Sequence, residues 1–181
     1  MRTLIVAEFI SLDGVVEAPE RWHFPYADED LYRSMWAVSS EIDTLLLGRV
    51  TYEAFAAVFA TAPADDPVAA QLNRPEKVVV SSSLRDPVWA GTTVLDGDVV
   101  AGVRALKEAP GAGIMVTGSI TLTRTLIRAG LVDEFHLLVH PIVVAAGERL
   151  FDTDGDRLPL TVRTSEVLGS GVTSTRYAVA V

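Results

Sequence analysis

Two segments of the chain put a glycine between an apolar run and a polar, helix-favouring stretch. The first is Leu45-Leu46-Leu47-Gly48-Arg49-Val50-Thr51-Tyr52-Glu53. Free N–H groups at a helix start favour an anion. Gly48 lets a ligand approach the backbone closely, Arg49 can give charge-assisted hydrogen bonds to phosphate, and Thr51 can add a hydroxyl. The second, Val116-Thr117-Gly118-Ser119-Ile120-Thr121-Leu122, repeats the design. Two such junctions in one sheet can hold both ends of a dinucleotide's pyrophosphate. Taken singly, the first reads equally as an ordinary strand–turn–helix with a solvated arginine, and the second reads first as a plain helix capped near Thr117 or Ser119. Neither is the G-x-G-x-x-G of a Rossmann fold or the glycine-lysine pattern of a P-loop.

A third cluster, Ser81-Ser82-Ser83 with Arg85 close behind, ends an apolar run. Hydroxyls and a cation there suit a ribose 2′-phosphate, and so NADP rather than NAD; the plainer alternative is a polar turn. The fourth is Ser11-Leu12-Asp13-Gly14 with Trp22 and the acids Asp28, Glu29 and Asp30. A carboxylate beside an aromatic ring can bind or protonate a nitrogen heterocycle. A turn aspartate and a helix-capping acid are the competing readings. Asp13 follows the first strand directly, where ligands gather in open α/β sheets. It is therefore the first candidate for catalytic contact with substrate, Asp30 the second for proton delivery, and Trp22 and Asp28 the candidates for substrate binding. His136 and His140 would share a helix face, but their apolar neighbours favour a strand, which sets them about 13 Å apart. No metal is expected there, and His23 is isolated in the sequence.

Composition narrows the partners. The formal net charge of −9 argues against nucleic acid and anionic membranes. The absence of cysteine excludes disulfides, thiolate catalysis and Cys-type zinc sites, and fits a cytoplasmic location. No apolar run reaches the roughly 18 residues that span a bilayer. The opening segment is interrupted by Glu8 and reads as a strand, not a secretory signal.

These groups need a scaffold. Apolar runs predict strands over Leu4–Ile10, Thr44–Leu47, Lys77–Ser81, Thr92–Leu95, Ile114–Thr117 and Phe135–Val139, with two late ones over about Leu160–Glu166 and Thr173–Val181. Helices are expected over about Asp28–Ser40, Tyr52–Phe59, Asp98–Glu108 and from Gly118-Ser119 to Gly130, whereas residues 62–74, with two prolines, read as loop. Alternating strands and helices imply a single α/β domain with parallel pairs. The helix-free end adds an antiparallel hairpin at one edge.

Taken together, the motifs resemble a known pattern. Gly48-Arg49-Val50-Thr51-Tyr52-Glu53 looks like the G-R-x-T-[YW]-E signature of dihydrofolate reductases. Ser81-Ser82-Ser83 falls where that family handles the NADPH 2′-phosphate, and Gly118-Ser119 where it has a Gly-Gly pair. Ser11-Leu12-Asp13-Gly14, Val132-Asp133-Glu134-Phe135-His136-Leu137 and Gly147-Glu148-Arg149-Leu150-Phe151 resemble more closely the C-terminal reductase domain of the bifunctional riboflavin-biosynthesis enzymes. The resemblance implies a three-layer α/β/α dihydrofolate-reductase-like fold with a mixed, mostly parallel sheet. It also implies NADPH as cofactor, hydride transfer to a small heterocyclic or sugar-like substrate, and pairing into a homodimer, for which the C-terminal strands and the apolar segment 139–144 offer surface. Its site residues would be Gly48, Arg49, Thr51, Ser81, Ser82, Ser83, Thr117, Gly118, Ser119, Ile120 and Thr121 for the cofactor, with Asp30 matching the acid of the folate enzymes. Two readings compete with pyrimidine reduction: folate reduction, and a sensor that keeps the cofactor site without turnover. Ser119 departs from the family's second glycine.

Overall fold

The computed structural model describes residues 1–151, 155 and 157–180. The chain runs β1 (Leu4–Ser11), α1 (Glu29–Ser39), β2 (Ile42–Gly48), α2 (Arg49–Phe59), α3 (Pro67–Asn73), β3 (Glu76–Val80), β4 (Thr92–Leu95), α4 (Val99–Glu108), β5 (Gly113–Val116), α5 (Ile120–Arg128), β6 (Glu134–His140), β7 (Leu160–Val167) and β8 (Thr173–Val179). Two short 3-10 turns, Pro19–Arg21 and Phe24–Tyr26, interrupt the loop after β1. Val181, the last residue of the expected final strand, lies outside the described residues.

The eight strands of the described residues form one sheet in the order β4-β3-β2-β5-β1-β6-β8-β7. Pairs from β4 to β6 are parallel. β8 runs antiparallel to β6, and β7 antiparallel to β8, which is the expected C-terminal hairpin. Successive side chains of β1 split between two cores. Leu4, Val6 and Ile10 pack with Val103 of α4 and Leu122 and Leu126 of α5. Ile5 packs with Val38 of α1 and with Tyr52 and Ala56 of α2. The sheet is therefore the middle layer of three, and the carboxyl ends of β1, β2, β5 and β6 open along one edge.

One expectation needs correction. Residues 62–74 are not loop throughout, since α3 lies within them. Asp66 caps it by accepting hydrogen bonds from the Val68 and Ala69 amides at 2.9 Å. Pro67 occupies the first helical position, where its missing N–H costs nothing. The proline marked a helix start rather than a break. Likewise α2 begins at Arg49, three residues before the expected Tyr52, because Gly48 itself is the extended N-cap.

Candidate active site

The two glycine junctions meet. The Gly48 amide donates to the Ser119 hydroxyl at 2.8 Å, and the Ser119 amide donates to the Thr51 hydroxyl at 2.9 Å. Ser119 thus joins the start of α5 to the start of α2 across the β2–β5 seam. Gly118 has a φ of +61°, and a Cβ there would lie 2.9 Å from Thr51 Cγ2, so both conformation and space require glycine. Ser119 is also left-handed. The Gly118–Ser119 peptide is trans, like the other peptide bonds of the described residues.

Capping sets these two helices apart. Asp28, Asp66 and Asp98 cap α1, α3 and α4 with their carboxylates, whereas α2 and α5 have no side-chain cap. Their first-turn amides, on residues 49–51 and 120–122, are presented beside each other at the carboxyl edge, so the sheet gathers two positive helix ends in one place. Thr117, Ile120 and Thr121 lie in or beside this junction. Arg49 pairs with Glu53 at 3.0 Å on the exposed side of α2. Such an exposed pair is weak, and the guanidinium can swing to an anion.

The serine cluster divides. Ser81 Oγ accepts from the Ser83 and Leu84 amides at 3.1 and 2.9 Å, so Ser81 shapes the turn. Ser82 and Ser83 face solvent. Arg85 closes the same turn by donating to the carbonyls of Leu84 and Ser82. Because Gly48 pairs with Val80, this turn follows β3 alongside the start of α2.

The acids on the other side of β1 are all engaged. Asp13 accepts from the Ser11 hydroxyl at 2.7 Å and from the Val144 and Ala145 amides at 3.0 Å each. The Ser11 hydroxyl first, then these amides, hold its carboxyl below the usual range. Asp13 is an anion that pins the loop after β6 to the turn after β1. Asp28 accepts from the Leu31 amide at 2.8 Å, and that bond is the main cause of its lowered pKa. Asp30 is ion-paired with Arg33 and lines a groove of about 470 Å³ between α1 and β6–β8–β7, together with Ser34, His136, Ser174 and Arg176. His136 Nε2 lies 3.0 Å from the Ser174 hydroxyl, and burial lowers its pKa to about 4.

Trp22 is buried, with its indole N–H donating to the Glu17 carbonyl. It belongs to a ring cluster that sequence reasoning missed. His23, isolated along the chain, stacks on Phe9 with centroids 4.7 Å apart. His140 meets Phe9, Trp22 and Tyr26 edge-on at 5.3, 5.2 and 5.6 Å. His140 Nδ1 sits 2.8 Å from the Leu138 carbonyl, which makes it the protonated nitrogen. Its Nε2, and His23 Nδ1, are buried without a hydrogen-bond partner, and burial lowers both pKa values. Glu8 was missed as well, though two-residue alternation assigns it to the buried face with Leu4, Val6 and Ile10. That signal was legible.

The RibD C-terminal domain family matches residues 2–174. The Bacillus subtilis protein YyaP is 26% identical over 178 residues, covering 97% of this chain and 94% of that protein. A putative riboflavin biosynthesis protein from Shewanella sp. PV-4 superposes with a TM-score of 0.80 at 20% identity, with 99% of each chain covered. Dihydrofolate reductase from Enterococcus faecalis, solved with NADP(H) and RAB-propyl, gives 0.68 at 17% identity, covering 99% of this chain and 97% of that one. The two solved structures fix the architecture as dihydrofolate-reductase-like. With the family match running almost end to end, this chain belongs to the RibD C-terminal domain family.

Proposed function

We propose that this chain is an NADPH-dependent reductase acting on a small heterocyclic or sugar-like substrate, with the reduction of a phosphoribosylamino-uracil as the nearest chemistry. The observation that carries this reading is the pair of uncapped α-helix starts, joined through Ser119, where the other three α-helices of the described residues each have an aspartate cap. A pyrophosphate supplies the acceptors that those amides lack. Ser82 and Ser83, exposed after β3, with Arg49 and Arg85 on the neighbouring segments, are the groups that would take a 2′-phosphate. When bound, the cofactor supplies the hydride; the chain binds, orients and excludes water. Substrate would enter on the α1 side of β1, toward Trp22 and the ring cluster, with Asp13, Asp28 and Asp30 around its mouth.

Fluorescence or calorimetric titration tests the cofactor assignment. NADPH should bind about 10-fold or more tightly than NADH, the scale of one charge-assisted contact. Equal dissociation constants would remove the 2′-phosphate site. A screen for NADPH oxidation with pteridines, pyrimidines and sugar phosphates then seeks the substrate.

One observation favours the sensor reading. The Ser11 hydroxyl and then the Val144 and Ala145 amides hold Asp13 as an anion, the Leu31 amide does the same for Asp28, and Asp30 is paired with Arg33, so each of the three is already occupied by the protein itself. NADPH binding without oxidation across the screen would decide for it.

We also infer a homodimer through β7. From Thr161 to Val167 this edge strand is exposed, with Val162 and Val167 at 57% and 74%. An exposed edge strand presents unpaired backbone groups that a second copy can pair with antiparallel about a two-fold axis. Light scattering at micromolar concentration should give twice the chain mass; a monomer would remove the inference.

A further inference from the structure

Glu8 is a carboxyl in the middle of an otherwise apolar strand. The residue is 7% exposed, and Oε1 is enclosed without a hydrogen-bond partner. Burial pushes the carboxyl well above the usual range, against a smaller opposing effect from a hydrogen bond with the Gly118 backbone. A buried, unpaired polar atom costs stability. Leucine at this position would fit the face already formed by Leu4, Val6 and Ile10 without that cost, so folding alone does not account for a glutamate.

Its position suggests what does. β1 and β5 pair only as far as Val6 and Val116. Beyond that point β5 turns away through Gly118 and Ser119, both left-handed, toward the uncapped start of α5. Glu8 stands two residues past the last pair, at the fork where the strands part. It faces α4 and α5, whereas the ring cluster with Trp22 and His140 lies across the sheet with Phe9. Of the two ligands a reductase needs, the one held at the α5 junction is the one within its reach.

We propose that Glu8 is a cofactor-binding residue that recognises the carboxamide of the nicotinamide, donating its O–H to the amide carbonyl and accepting from the amide N–H₂. A carboxylic acid and a primary amide are complementary edges, each with one donor and one acceptor side by side. Pairing them fixes which way the ring lies, and so which face it offers to the substrate. This inference rests on the cofactor reading above.

The test compares two ligands and two variants by calorimetry. The ligands are NADPH and 2′-phospho-ADP-ribose, which keeps the phosphates and lacks the nicotinamide. Glu8→Leu should bind NADPH about 10-fold more weakly, the scale of two lost hydrogen bonds. It should bind 2′-phospho-ADP-ribose unchanged and melt no lower than the parent. Glu8→Gln keeps one donor and one acceptor and should restore NADPH binding. The unsubstituted protein supplies an independent arm, because an NADPH analogue with acetyl in place of the carboxamide should bind it more weakly than NADPH. If Glu8→Leu binds NADPH like the parent, or weakens both ligands alike, or if the acetyl analogue binds as tightly as NADPH, the assignment is overturned. If the unsubstituted protein binds neither NADPH nor the fragment, the cofactor reading itself fails and takes this assignment with it.

Discussion

The amino ends of the strands and their carboxyl ends both bury polar groups, and they treat them differently. At the amino ends, Arg2 donates to the Ala112 carbonyl and Thr44 hydroxyl at 2.7 Å and is ion-paired with Asp43. Lys107 meets the Leu131 carbonyl at 2.7 Å and Asp133 at 2.5 Å. Lys77 donates to the Asn73 carbonyl and lies 4.8 Å from the Trp89 ring centroid. Each buried cation there has protein partners. At the carboxyl ends, Glu8 Oε1, His23 Nδ1 and His140 Nε2 are enclosed and unpaired, and two helices start without caps. Partnered polar groups make a scaffold. Unpartnered ones cost stability, and such local violations persist where a ligand completes them. The comparison assigns stability to one end and binding to the other, and each assignment can be broken separately.

The largest effect is expected at the amino end. Asp133→Ala removes an acceptor from both Lys107 and the Leu4 amide, leaving an ammonium buried. It should lower unfolding free energy by about 3 kcal/mol in urea, while the folded fraction keeps its NADPH affinity. A large loss of affinity with little loss of stability would contradict the division.

Gly118→Val probes the other end. The branched side chain meets Thr51 and demands a backbone conformation that β-branched residues avoid. NADPH affinity should fall by about 100-fold or more, with a smaller stability cost of about 1–2 kcal/mol for the strained φ. A variant that binds like the parent would reduce Gly118 to a helix-start residue.

The groove beside α1 gives a pH signature. The folded pKa of His136 is lowered from 6.5 to about 4, so the native state holds it neutral. The unfolded chain takes up its proton as pH falls through 6.5. The stabilising contribution is therefore complete above that value and is lost progressively down to about pH 4. Urea unfolding should show about 2 kcal/mol less stability at pH 5 than at pH 7 from this residue, and His136→Asn should flatten that part of the slope. An unchanged slope in the variant would place the titration elsewhere.

Asp13→Asn carries the smallest expected stability effect. The neutral amide is a poorer acceptor for the Val144 and Ala145 amides, so the thermal midpoint should drop modestly while NADPH affinity is retained. If Asp13 also touches substrate, turnover on a substrate found in the screen should fall by about 10²-fold. Full turnover would leave it only as the loop's anchor.

Several features of the molecule were already legible in its residues. Two-residue alternation in β1 and the glycines after β2 and β5 identify strands, buried faces and the two junctions, because periodicity and glycine's freedom are local properties. Asp28, Asp66 and Asp98 before their helices are local signals too, although the prolines at 63 and 67 obscured α3. The tertiary structure alone decided how those pieces meet. The bond from Ser119 to Thr51 spans 68 residues, and those from Val144 and Ala145 to Asp13 span 131 and 132. Nothing near Asp13 in the chain tells a substrate carboxylate from a loop anchor, since the distinction lies in which distant amides reach it. The gathering of His23 with His140, and the enclosure of Glu8 at the fork of β1 and β5, likewise depend on the order in which strands assemble. That order is set by the packing of whole faces, which no short window of sequence contains.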